Sequence, residues 1–107
     1  MHSLLAQARI AEASNPDQAL VTLERALRIE PRNPFIWQMI ATTHLSLGQM
    51  EQAENTAQKS NSLARSNPYI EIENWKVIAE TRRAAGDLQA SMQAQTRVDE
   101  LNRLIGQ

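Results

Sequence analysis

Two tryptophans, Trp37 and Trp75, are each followed by a glycine at the same distance, Gly48 after the first and Gly86 after the second. Other intervals repeat as well: the step from Ala19 to Ala53 equals the step from Pro34 to Pro68. At a fixed offset of five after each of the turn positions Ser14, Gly48 and Gly86 comes a small residue, Ala19, Ala53 or Ser91. A period of this length means that one supersecondary unit recurs, and a single such unit cannot bury its own apolar stripe. Its copies must stack on one another.

Apolar spacing and breakers predict six helices, over residues 4–13, 16–29, 34–47, 50–64, 68–85 and 88–104. In the second, Ala19, Leu20, Leu23, Ala26 and Leu27 form a stripe at three- and four-residue spacings. The third carries Trp37, Ile40, Ala41, His44 and Leu45 inward, and the fourth Ala53, Ala57, Ser60 and Leu63. Ile72, Trp75, Ile78 and Ala79 do the same in the fifth, and Ser91, Gln95, Val98, Leu101 and Leu104 or Ile105 in the sixth. Asn33-Pro34 and Asn67-Pro68 supply a capping side chain followed by a proline whose missing N–H the first helical turn does not need. The connections are a few residues long, so consecutive helices pack antiparallel. Where two backbones cross closely, Ala41 and Ala79 are expected to meet Ala53 and Ser91, with the indoles filling the space beside each crossing.

The stretch WQMIATTHLSLGQMEQAENTAQKS resembles a tetratricopeptide repeat, with Trp37, Ile40, Ala41, His44, Gly48, Ala53, Ala57 and Ser60 on its signature positions. WKVIAETRRAAGDLQASMQAQTRV is similar through Trp75, Ile78, Ala79, Arg82, Gly86, Ser91, Gln95 and Val98. PDQALVTLERALRIEP looks like the second half of an earlier, degenerate repeat that carries Ala19, Leu23, Ala26 and Pro31. The resemblance implies an all-α, right-handed superhelical stack of antiparallel helix pairs. It forms one domain over residues 1–107, with repeats at about 1–33, 34–67 and 68–107. His44 and Arg82 depart from the pattern, since that position usually holds a large apolar or aromatic side chain. The interval from Trp37 to Trp75 is also longer by four positions than the one from Pro34 to Pro68, which has the family's usual length. The surplus is an extra turn, expected at Tyr69 to Ile72 at the start of the fifth helix, with a longer fourth helix as the alternative.

The resemblance further implies that the first helix of each pair lines a concave surface that holds a protein or peptide. The matching positions are Phe35, Gln38, Thr42, Leu45 and Ser46, then Glu73, Lys76, Glu80, Arg83 and Ala84, with Leu4, Ala8 and Ala11 in the first repeat. Repeats that clamp a free carboxylate use a lysine and asparagines. Lys76 fits, but Glu80 and Thr42 stand where asparagines belong. The plain alternative for Gln38, Lys76, Glu80 and Arg83 is solvated surface. A rival role is self-association into a homo-oligomer through the closing helix, which carries Val98, Leu101 and Leu104 with no polar helix after it; another is one section of a longer repeat scaffold.

Other classes find little support. There is no cysteine, and His2 and His44 are joined by no zinc-binding motif, so no metal site or cofactor is expected. Serines and glutamates lack a catalytic context, and no enzyme is expected. Eleven basic and twelve acidic residues give a formal charge of -1 with no basic block, which argues against nucleic acid. The apolar runs are short, and the opening residues lack a basic signal-peptide region, so this segment is expected to make no direct membrane contact.

Overall fold

Asparagine followed by proline opens three of the helices in the computed structural model, which describes residues 15–106. α1 spans Pro16–Ile29, α2 Pro34–Ser46, α3 Met50–Leu63, α4 Pro68–Ala84 and α5 Leu88–Gly106. Ahead of α1, α2 and α4, the side-chain oxygens of Asn15, Asn33 and Asn67 accept the backbone N–H of Gln18, Phe35 and Tyr69 at 3.2, 2.9 and 3.1 Å. Each caps a donor that the first turn leaves unpaired. The helix expected over 4–13, with Leu4, Ala8 and Ala11, lies outside the described residues.

Two helix ends are built alike. Gly48 and Gly86 take φ of 74° and 83°, the left-handed region that costs an L side chain most. Beyond them the N–H of Gln49 reaches the His44 carbonyl at 2.9 Å, and the N–H of Asp87 reaches that of Arg82 at 3.0 Å. The α3–α4 turn is different. Arg65 and Ser66 adopt φ of 51° and 63° with no glycine to relieve the backbone.

Helices pack on their neighbours in chain order, and α2 also touches α4. The fold is all-α, an arrangement of stacked antiparallel helix pairs. Its centre is a cluster of Ala41, Ala53, Ala57, Val77, Ile78, Ala79 and Ala94, so small residues do face one another where α2, α3, α4 and α5 approach. The Ser91 hydroxyl adds a bond to the Ala79 carbonyl at 2.8 Å across the last pair. A second cluster, Leu23, Ala26, Ile36, Met39 and Ile40, joins α1 to α2. Ile72, Val98 and Leu101 form a third at the far end of α4 and α5. α4 has 17 residues where α2 has 13, and the additional turn precedes Trp75. It brings Ile72 onto Leu101 and the longer α5, while Tyr69 stays exposed.

Three side chains sit otherwise than their spacing implies. Both tryptophans are half-buried rather than core residues. The Trp37 indole N–H donates to the Pro31 carbonyl at 2.8 Å, and Lys59 Nζ lies 5.9 Å from the ring centroid. An indole needs an acceptor for its N–H, and here that acceptor is in an exposed loop. Trp75 bridges the first and third clusters. Gln95 is exposed and bonded to Asp99 at 3.2 Å, because the inward stripe of α5 runs Ala94, Val98, Leu101.

The polar residues at a usually apolar signature position each find a partner. His44 Nδ1 lies 2.6 Å from Gln49 Oε1, so the side chain after the turn glycine binds back to the last turn of α2. Arg82 Nε lies 3.4 Å from Glu54 Oε1 on α3. That same oxygen accepts the Thr81 hydroxyl at 2.8 Å.

Candidate functional site

Contact between α2 and α4, unmatched by any comparable pairing of α3 with α5, draws the stack together on the α2 and α4 side. Phe35, Gln38, Thr42, Leu45, Lys76, Glu80 and Arg83 are all on these two helices. They differ sharply in how accessible they are. Phe35 and Leu45 are half-buried and pack against the second and first clusters. Gln38, expected on the open face, is only 9% exposed. Its Nε2 donates to Thr42 Oγ1 at 2.8 Å, and Thr42 Oγ1 donates to the Gln38 carbonyl at 3.2 Å. An amide at the inside edge of α2 is driven to a neighbour one turn away because water does not reach it.

The more exposed of the expected groove residues are therefore on α4. Glu73, Lys76, Glu80 and Arg83 follow one another at three- and four-residue spacings, which stacks them along one stripe of the helix. Lys76 pairs with Glu73 at 3.5 Å. Arg83 grips Glu80 with two nitrogens, its Nε at 3.0 Å from Oε2 and its Nη2 on Oε1. The hydrogen bond from Arg83 holds the Glu80 carboxyl below the ordinary carboxylate range, with the guanidinium charge acting in the same direction and partial desolvation opposing. The same bond raises Arg83. The stripe is thus charged at every position yet neutral in sum.

The residues expected to support self-association separate in the same way. Val98 and Leu101 are 2% exposed, sealed against Ile72, so neither can meet another molecule. Leu104, at 63%, is open.

Two features escaped the residue pattern. Asn74, one position before Trp75, is fully buried and binds Ser60 Oγ at 2.7 Å and Asn61 Oδ1 at 2.9 Å. Ile36, one position before Trp37, holds the equivalent place in the preceding repeat and is also fully buried, so the repeat register marks the site while giving no hint of its polarity. A cleft of about 300 Å³ between α3 and α4 is lined by Met50, Glu51, Glu54, Asn55, Thr81 and Ala85. Its inner carboxylate, Glu54, is already held by Thr81 and Arg82. Among the described residues no group of three or more His, Cys, Asp or Glu side chains could hold a metal ion, and no helix is long and apolar enough to cross a membrane.

Comparison with known proteins agrees with this architecture. The family model described as tetratricopeptide repeat matches residues 11–71. Among solved structures, the globular C-terminal domain of P. aeruginosa LpoP is similar at 31% identity and a TM-score of 0.86, covering 91% of this chain and 92% of that one. No curated protein matches the sequence.

Proposed function

Because this chain belongs to the tetratricopeptide repeat family, whose helical stacks serve protein–protein interaction, we propose that it is a binding module that takes a peptide segment or helix of a partner on the α2 and α4 side. The observation that carries this reading is the stripe of Glu73, Lys76, Glu80 and Arg83, exposed heads of both signs along α4. A partner with spaced charges of opposite order would replace the intrahelical pairs by intermolecular ones. Because the stripe is neutral in sum, such recognition selects by charge order more than by net charge.

The test is capture of partner peptides from a displayed library by the intact protein and by Lys76→Glu with Arg83→Glu. Both side chains are more than half exposed, so the variant keeps its fold. Loss of the captured set supports the site, and recovery of every peptide at unchanged strength sinks it. Leu45→Glu is unsuitable, because Leu45 packs on the core.

A further inference from the structure

Leu88 and Met92 stand one turn apart on α5 and are 62% and 70% exposed. The repeat register explains what kind of surface they occupy. Under the shift that carries Trp75 onto Trp37, Leu88, Gln89, Met92 and Gln93 become Met50, Glu51, Glu54 and Asn55, the residues of α3 that line its junction with α4. In α3 that face receives the next helix. In α5 the same face is open, and two features of its chemistry have changed: both glutamates are gone, and a methionine stands where Glu54 binds Arg82.

We propose that this outer face of α5, centred on Met92, is the contact through which two copies of the chain pair, α5 against α5 across a two-fold axis. The whole run from Leu88 to Thr96 contains no ionisable side chain. An isologous contact sets each patch against its own copy, so a charge at its centre would face its like. Glutamates such as Glu51 and Glu54 would repel there. Gln89 and Gln93 suit the arrangement, because an amide both donates and accepts and is complementary to itself. Met92 adapts to an apolar side chain across the axis.

A second copy fits better than a further stacked helix. The equivalent of Ala57, which is fully buried beneath the next helix, is the exposed Gln95, too long for so close a backbone approach. One helix face per copy is smaller than the roughly 1,200–2,000 Å² of a standard interface, so the pairing is weak and concentration-dependent. It is independent of the α2 and α4 side and can hold whether or not that side binds a partner.

Light scattering on the intact chain, from micromolar to millimolar concentration, tests it. The expected mass rises toward twice that of the monomer, Met92→Glu holds it at the monomer value throughout, and Leu104→Glu leaves the rise unchanged. Leu104 lies three turns and a third beyond Met92, which points it about 120° away around the helix. Circular dichroism of each variant confirms retained helicity. A monomer at every concentration overturns the proposal, as does a dimer that survives Met92→Glu or one that Leu104→Glu dissolves.

Discussion

Asn74 donates through Nδ2 to the hydroxyl of Ser60 at 2.7 Å, and both side chains are fully buried. Ser60 passes its own proton to the Pro34 carbonyl at 2.7 Å, and the second amide proton of Asn74 goes to Asn61 Oδ1 at 2.9 Å. The chain of bonds ties the start of α2 to the end of α3 and the middle of α4. Asn74 Oδ1 finds no hydrogen-bond partner among the described residues, so the network is incomplete at one atom.

Removing this network by halves is expected to cost more than its parts. Asn74→Ala leaves Ser60 and Asn61 without their donor and opens space at a fully buried site, for a loss of about 1–3 kcal/mol. Ser60→Ala leaves one Asn74 proton without its acceptor, while the Pro34 carbonyl keeps its intrahelical donor, with a loss in the same range. In urea titrations the double variant should fall short of the sum by about 0.5 kcal/mol or more. Strict additivity would show that the two side chains do not act together.

Arg65 and Ser66 hold the α3–α4 turn in the left-handed region, where a side chain costs roughly 1–2 kcal/mol relative to right-handed backbone. Ser66→Gly removes that penalty at an exposed position and gives back part of it through a freer unfolded chain. The expected net gain is about 0.5–1 kcal/mol, seen as a rise in Tm of a few degrees. The opposite change, Gly48→Ala or Gly86→Ala, meets no neighbouring atom within 4 Å, so any loss there reports backbone conformation alone.

Glu80 and Arg83 carry a pH signature. The folded-state pKa of Glu80 lies below its unfolded value, so the contribution of the pair is complete above the ordinary glutamate range and fades as pH falls through the lower folded value. Carboxyl NMR should place the Glu80 midpoint below that of a free glutamate, and Arg83→Gln should move it back upward. A midpoint indifferent to Arg83→Gln would show that the two are apart in solution.

Glu54 should matter less than its two bonds imply. Thr81 has one hydroxyl proton and two acceptors, Glu54 Oε1 at 2.8 Å and the Ile78 carbonyl at 2.9 Å, so removal of the carboxylate leaves the hydroxyl satisfied. Arg82 is partly exposed and regains water. Glu54→Ala is therefore expected to cost at most about 1 kcal/mol in a denaturant titration, and to reduce the salt dependence of stability. A loss above about 3 kcal/mol would mean that the pair is buried and structural.

What the residues spell out without coordinates is local and periodic. Asparagine before proline starts helices because the side-chain oxygen and the missing N–H both suit a first turn. Glycine ends them because only it takes a positive φ freely. Small residues at a constant interval, Ala41 with Ala53 and Ala79 with Ser91, mark the crossings, and the surplus between Pro68 and Trp75 becomes one more helical turn. Tertiary packing decided which sides of those helices meet water. Gln38 looks solvent-facing by count and is buried by its neighbours, Val98 and Leu101 look like an exposed end and are covered by Ile72, and Asn74 occupies the place of an isoleucine. Periodicity fixes the angle of a side chain around its own helix. Burial depends on the roll of each helix against the next, and that is set by contacts across the stack.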